Sequence, residues 1–455
     1  MHKSGGVPLK IKIGYGIGDV GNNLLITIIG FYLLYYLTDI VGIAAGLAGT
    51  AIMIGKVWDA VTDPAVGYLS DFTRSPMGRR RPYLLFGSFF VFIAMILLFS
   101  KPDLEREISL FLWAAGMFCL LSTAYTLVNI PYGAMLPEIT KDFNEKTVIT
   151  GFKSVMSIIG TFIGAGTVLP VVNLLTNTES GWRLMGAIMG GVCLATMLVT
   201  FSIVREPVRS SPLKSYKSIR DFFRSYYSVI KLQTFRRILF PWVLNMAGTT
   251  MIQGVFLYYF TYVYGNDDIF KKALPFLMLS IIAFIPLWVS LSKKMGKKNS
   301  FCFGMTVFAL ALLFYSLFGH ILGVWFTFVI MGFAGFGSAT QYVLPHAILP
   351  DVIEYDYAEN GVRREGVFYG MWTFSSKLGQ AAAMAMSGWI LSLFNYVPNS
   401  SQTAEAQLGI KLLLGPIPVV MFITGVLILA SYPIDEQFYA DIMKKIKSRE
   451  AEQVD

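Results

Sequence analysis

Charge is what this chain lacks most. Asp, Glu, Lys and Arg make up only 14% of its 455 residues, against about 25% in an ordinary soluble domain. Hydrophobic residues reach 55% and the mean hydropathy is +0.59, more apolar surface than a soluble core can absorb. Cysteine is nearly missing too: Cys119, Cys193 and Cys302 all lie in apolar runs, which excludes a disulfide framework or a CxxC metal site. His2, His320 and His346 are too few and too scattered for a histidine metal or acid–base cluster. No GxSxG, HExxH or phosphate-loop pattern occurs, and Ser211-Pro-Leu-Lys214 is a chance SxxK match in a basic loop. These absences leave no enzyme class and no cofactor to support. The net charge of +9 sits in loops between hydrophobic runs rather than on a basic stripe, so no nucleic-acid partner is implied.

What the chain has instead is hydrophobic runs of about 20 residues, the length that crosses a bilayer as a helix. They fall near 11–37, 44–70, 83–100, 109–136, 147–173, 183–204, 236–263, 270–292, 300–319, 322–349, 365–395 and 409–432. The expected fold is therefore an all-α integral membrane protein of about twelve transmembrane helices. The first run contains Asp19, Asn22 and Asn23 and lacks a small-residue cleavage site, so it reads as a retained helix rather than a signal peptide. An even number of spans puts both termini on one side. On the opposite side and its flanks stand only Lys101, Arg106, Arg183, Lys271, Lys272 and Lys411, while Lys56, Lys153 and Lys377 lie within spans. The remaining Lys and Arg residues share the side of the termini, which the positive-inside rule assigns to the cytoplasm. The expected location is the cell membrane, multi-pass.

The basic, proline-interrupted stretch 205–235 divides the chain into a six-helix half, 1–204, and a second, 236–432, followed by a tail, 433–455. Two short echoes support a repeat. Leu136-Pro137-Glu138 ends the fourth span and Leu349-Pro350-Asp351 the tenth; Met77-Gly78-Arg79-Arg80 follows the second and Met295-Gly296-Lys297-Lys298 the eighth. Each pairs a loop with its counterpart six spans later, as in carriers built from two pseudo-symmetric bundles.

Within this apolar background, Lys56, Asp59 and Asp63 stand at i, i+3 and i+7, on one face of a helix. A carboxylate at mid-membrane costs roughly 2.5–3.5 kcal/mol on insertion scales, so two on one helix require a polar interior and suggest a function. A structural salt bridge between Lys56 and Asp59 is the alternative.

The segments Tyr15-Gly-Ile-Gly-Asp19, Tyr36-Leu-Thr-Asp-Ile-Val-Gly42, Trp58-Asp-Ala-Val-Thr-Asp-Pro64 and Gly78-Arg-Arg-Arg-Pro-Tyr-Leu-Leu85 extend this pattern. With Asn129-Ile-Pro-Tyr-Gly-Ala134, Gly361-Val-Arg-Arg-Glu-Gly366 and Lys377-Leu-Gly379, they resemble, in order, the glycoside-pentoside-hexuronide:cation symporters of the major facilitator superfamily, which include melibiose permease.

The resemblance implies that Asp59 and Asp63 bind a coupling cation with help from Thr62 and Thr126; Lys377, at the family's lysine position, and Lys56 are the candidate coupling residues. Na⁺ favours hard oxygen ligands, whereas a proton needs only a carboxylate of raised pKa. The two hydroxyls tilt the choice to Na⁺, with H⁺ as the alternative. The carboxylates that chelate sugar hydroxyls in melibiose permease are replaced by Asn23 and Asn129, its following tryptophan by Gly133 and its fifth-span arginine by Lys153. Galactoside specificity is therefore not implied, and an anionic sugar such as a uronide gains ground. Asp19, Asn23, Tyr125, Asn129, Tyr132, Lys153, Gln341, Trp372 and Thr373 are the expected substrate contacts, Asp19 being equally readable as a structural residue. The loop from Gly67 to Arg81 resembles the superfamily's cytoplasmic gate, with Asp71, Arg74, Arg79, Arg80 and Arg81 as its charged members and Glu138, Asp351, Glu354 and Asp356 as candidate partners. Gly14, Gly16, Gly18 and Gly21 are read as packing residues.

The expected function is cation-coupled symport of a sugar, glycoside or uronide by a monomer in contact with membrane lipid. A lysolipid or other amphiphile carrier of the same fold is the alternative, and a transport-silent membrane sensor is the alternative of another class.

Overall fold

The computed structural model describes residues 7–140, 142–205, 226–361, 364–434 and 436–452. Most of the expected linker, including Ser211–Lys214, and Val362 and Arg363 of the glycine-flanked loop lie outside the described residues. Among the described residues every regular element is a helix. α1 is Leu9–Tyr35, α2 Ala45–Phe72, α3 Arg81–Leu98, α4 Glu107–Ile139, α5 Phe143–Val172 and α6 Thr178–Ile203. α7 is Gln233–Tyr258, α8 Asp267–Met295, α9 Lys297–Ser338, α10 Thr340–Asn360 and α11 Glu365–Leu393. α12 Ala404–Leu414, α13 Pro416–Ala430 and α14 Glu436–Glu452 complete the series.

Nine helical stretches among the described residues are long and apolar enough to cross a membrane, by length and composition. One of them, Lys297–Asn360, holds two of the expected spans, because the chain breaks at Gly323 (φ 80°, ψ −170°), a conformation that only glycine adopts without strain. The last expected span is divided as well. Pro416 opens α13 after Gly415, and its missing N–H ends the ladder of α12 there. α2 is not among the nine; Lys56, Asp59 and Asp63 lower its hydropathy.

The chain forms two compact units. The first comprises Met1–Ser215, Gln253–Tyr258 and Met384–Ala406, and the second Tyr216–Ile252, Tyr259–Ala383 and Gln407–Asp455. In the first unit α1 packs on α5 and α6, α2 on α4, and α3 on α4 and α6. Lipid tails are as apolar as leucine, so close backbone approach and interhelical hydrogen bonds must hold such helices together. The α1 glycines supply the approach: a Cβ at Gly16 would meet the Phe152 backbone at 3.2 Å, and one at Gly21 the Cys193 Cα at 2.9 Å. The hydrogen bonds come from Tyr32 to the Ala165 carbonyl (2.6 Å) and from Thr200 to the Gly14 carbonyl (2.8 Å). In the second unit α8, α10 and α13 lie against α9, and α14 packs on α10.

Candidate cation and substrate site

α2 turns Asp59 and Asp63 toward α4, where the fully buried Thr126 meets both. Its hydroxyl lies 2.9 Å from Asp59 Oδ1 and 3.2 Å from Asp63 Oδ1. A threonine has one hydroxyl proton. It can donate to one carboxylate only, so the other oxygen faces it lone pair to lone pair unless a proton, a cation or an ammonium neutralises the junction. Two carboxylates converging on one atom also raise each other's affinity for positive charge. Thr62 does not join them: its hydroxyl donates back to the Asp59 carbonyl at 3.2 Å. Lys56 shares α2 one turn before Asp59 and is half-buried. Pro64 follows Asp63 directly and has no N–H for the Ala60 carbonyl, which leaves a gap in the α2 ladder beside the two aspartates.

A second polar group lies on α1, α4 and α5 of the same unit. Asp19 is 7% exposed, its carboxylate 3.8 Å from the Lys153 ammonium and 3.2 Å from the donating Asn23 amide. Lys153 also sits over the Tyr132 ring, 5.5 Å from its centroid. Tyr132 is fully buried and stacks on Tyr15 (centroids 4.7 Å, 16°), and each hydroxyl donates to the other residue's carbonyl. Tyr132 thus lies between Tyr15 and Lys153, and its buried ring is not open for stacking on a ligand. Asn129 is half-buried on α4, and Gly133 is exposed with room around it, since a Cβ there would meet nothing within 4 Å. Tyr125 directly precedes Thr126 on α4. It lines a small cavity with Asn22, Ser88 and Cys193.

Gln341, Trp372, Thr373 and Lys377 belong to the second unit. Gln341 is buried and accepts from the Thr249 hydroxyl at 3.1 Å, while its amide nitrogen has no hydrogen-bond partner among the described residues. Trp372 is 5% exposed, and one ring face is taken up by Trp242 (centroids 4.9 Å, 12°). Thr373 is exposed and accepts at its carbonyl from Ser376, and Lys377 is half-buried on α11.

The gate motif is an ion-pair network. Arg79 and Arg80 both pair with Glu138 at the end of α4 and with Asp71 at the end of α2, Arg80 at 3.1 Å from each. Arg80 also donates to the Ala134 carbonyl and is buried. Arg81 donates to the carbonyls of Met77 (3.2 Å) and Phe201 (2.8 Å) and covers the Phe201 ring. Arg74 is exposed, with no such partner among the described residues. In the second unit the echoing loop repeats the design: Lys297 pairs with Asp351 at 2.7 Å. Asp356, by contrast, is held by Arg364.

The sequence matches the family described as MFS/sugar transport protein over residues 14–436. The chain belongs to that family. Among its relatives, the uncharacterised symporter YnaJ of Bacillus subtilis (strain 168) is 30% identical over 451 residues, covering 96% of this chain and 95% of YnaJ. YagG of Escherichia coli (strain K12), which carries the name glycoside/cation symporter, is 28% identical over 457 residues, 98% of this chain and 96% of its own. The sodium-dependent lysophosphatidylcholine symporter 1 of Gallus gallus is 25% identical over 462 residues, 94% of this chain and 87% of its own. Membership makes the protein a multi-pass membrane transporter of all-α fold.

One cluster with no assigned role in the sequence motifs emerges at the end of α1. The π-helical turn Tyr36–Val41 buries Asp39, whose carboxylate accepts from Thr38 and Tyr396. Tyr396 is remote in sequence, and no periodicity links it to Asp39; the Tyr-Leu-Thr-Asp motif alone carried a signal.

Proposed function

We propose that the protein carries a sugar, glycoside or uronide across the cell membrane in symport with Na⁺, with both termini in the cytoplasm. Asp59 and Asp63 would supply charged oxygen ligands to the ion and Thr126 a neutral one. The observation that carries this reading is the single Thr126 hydroxyl placed against both carboxylates, which favours positive charge at their junction. A hard ion with several oxygen ligands suits that donor set, and three oxygens from two helices would draw α2 and α4 together on binding.

Lys153, Asp19, Asn23, Asn129 and Tyr125 of the first unit would contact the substrate, and Gln341, Trp372 and Thr373 are the candidate contacts that the second unit offers. The Asp19–Lys153 pair offers an acceptor and a donor to hydroxyls, and a substrate carboxylate could take Lys153 from Asp19. Lys56, on the same helix as Asp59 and Asp63, would couple the steps as an ammonium that competes with Na⁺ for those carboxylates, and Lys377 would take part in coupling from the second unit. The arginine–carboxylate networks would govern the change of access between the two six-helix halves, joined by 205–235.

The test is uptake into proteoliposomes of a panel of labelled sugars, glycosides, uronides and lysophosphatidylcholine, with and without an inward Na⁺ gradient. Sodium-driven accumulation of a sugar or uronide is expected. Uptake of lysophosphatidylcholine alone would overturn the sugar assignment, and equal uptake driven by a pH gradient in sodium-free buffer would overturn the choice of ion.

A further inference from the structure

The first unit is not built from the first half of the sequence alone: Gln253–Tyr258 of α7 and Met384–Ala406, the end of α11 and the loop after it, belong to it. What fastens these late segments to α1 and α2 is a buried polar cluster around Asp39. Asp39, 5% exposed, accepts from the Tyr396 hydroxyl at 2.7 and 2.8 Å and from the Thr38 hydroxyl at 2.6 Å. Thr38 meets the Tyr258 hydroxyl at 2.6 Å, and the Asn399 amide donates to the Asp39 carbonyl at 2.6 Å. The rings of Tyr258 and Tyr396 meet edge to face, 5.3 Å apart. Three side chains from two remote stretches thus converge on one carboxylate-bearing turn.

The backbone is shaped for the purpose on both sides. The wide turn Tyr36–Val41 places Thr38 and Asp39 together inside, and single π-helical turns are frequent at functional sites. Tyr396 and Asn399 stand in a loop where Asn395 and Asn399 have positive φ of 55° and 54°, a conformation that asparagine tolerates better than most residues. Beside the cluster, α2 and α11 touch through glycine on glycine: a Cβ at Gly49 would lie 3.0 Å from the Gly388 Cα. The Gly46 N–H donates to the Ser392 hydroxyl at 2.8 Å, and the Trp389 indole to the Thr50 hydroxyl at 3.0 Å.

We propose that the Asp39 cluster is a reversible latch, closed here, that must open in each transport cycle at the membrane face opposite the gate motif. A carrier that works by rocking its two halves has to part the segments that the second half lends to the first. Hydrogen bonds to a carboxylate suit such a joint. They are strong and directional when closed, and water replaces them when the turn opens, so the open form is not left with an unsolvated charge. The smooth Gly49–Gly388 contact lets the backbones approach closely without interlocking side chains. Asp39, Thr38, Tyr258, Tyr396 and Asn399 are positioning residues for the conformational step and need not touch substrate or cation.

The proposal rests on the two-halves carrier reading, and its test uses no transport substrate. In a background with Cys119, Cys193 and Cys302 changed to Ser, Leu34→Cys places a thiol one turn before Thr38, at a position 1% exposed. Its labelling by a membrane-impermeant maleimide is followed in right-side-out and inside-out vesicles. Leu175→Cys, 42% exposed in the loop between α5 and α6, reports separately which side of the membrane this end faces. Tyr396→Phe and Asp39→Asn should each raise the labelling rate of Leu34→Cys roughly tenfold, the equilibrium change expected from a lost hydrogen bond to a charged group. Gly46→Cys with Ser392→Cys should then block it: a Cβ at Gly46 lies 3.6 Å from the Ser392 Cβ, within the roughly 3.5–4.5 Å span of a disulfide. Oxidation should stop labelling, and reduction should restore it. Labelling of Leu34→Cys that is unchanged by Tyr396→Phe, or that persists after complete oxidation of the pair, overturns the latch. If Asp39→Asn fails to fold, Tyr396→Phe and the disulfide still decide.

Discussion

A single residue, Thr126, meets both carboxylates for which two threonines had been expected as partners. The Thr-Asp dipeptide on α2 made Thr62 as plausible a cation helper as Thr126, because spacing along a helix cannot say where a hydroxyl turns. In the structure Thr62 bonds its own helix, as mid-helix threonines often do, and Thr126 reaches both carboxylates. Thr126→Val should therefore weaken Na⁺ binding about 10–100-fold, the worth of a hydrogen bond to charged groups of about 1.5–3 kcal/mol. Thr126→Ser should recover most of the loss, and Thr62→Val should change it little; sodium titrations of uptake read all three. Lys153 invites a complementary experiment. Lys153→Ala leaves Asp19 without its ammonium, and substrate affinity should fall at least tenfold while sodium affinity, measured by ²²Na⁺ binding, stays within about twofold.

At the scale of helices, the glycine pattern of α1 was legible as packing, and the structure gives it partners. Its partner surface was not legible, because Gly160 and Gly164 of α5 stand in a run where glycine also serves flexibility. A Cβ at Gly160 would lie 2.9 Å from the Val20 Cα, so α1 and α5 touch backbone to backbone there. Gly160→Leu should cost about 1–3 kcal/mol through overpacking and lower the unfolding temperature by several degrees. Gly133→Ala, in open space, should leave it unchanged; thermal unfolding in detergent compares the two. The gate networks were legible as charges at helix ends and as an internal echo, yet pairing is a matter of three dimensions. Glu138 serves two arginines, whereas Asp356 pairs with Arg364 and not with the echoing lysines. Glu138→Gln should slow the maximal rate of uptake several-fold and leave sodium affinity unchanged, which separates a gating role from a binding one. A parallel fall in sodium affinity would contradict the assignment.

For the molecule as a whole, hydropathy and the ordered motifs were enough to expect an all-helical membrane carrier, since a bilayer admits few folds and each span must satisfy its own backbone. The composition, with only 14% of residues charged, thins the polar residues, so those within the spans stood out as candidates. Contacts between remote segments, such as Asp39 with Tyr396, left no periodic trace and needed coordinates. The substrate pocket was the least legible part, because hydroxyl recognition uses asparagine, glutamine, threonine and aromatics, which also serve as packing residues in any membrane helix.

Whether Asp59 and Asp63 are the ligands of a coupling Na⁺ is measured without a transport substrate by calorimetric titration of the purified protein with NaCl, against choline chloride. Saturable sodium binding is predicted for the unaltered protein, weakened at least a hundredfold by Asp59→Asn with Asp63→Asn, since removing both charged ligands removes most of the site's attraction for the ion. Unchanged sodium binding by that double variant would contradict the account.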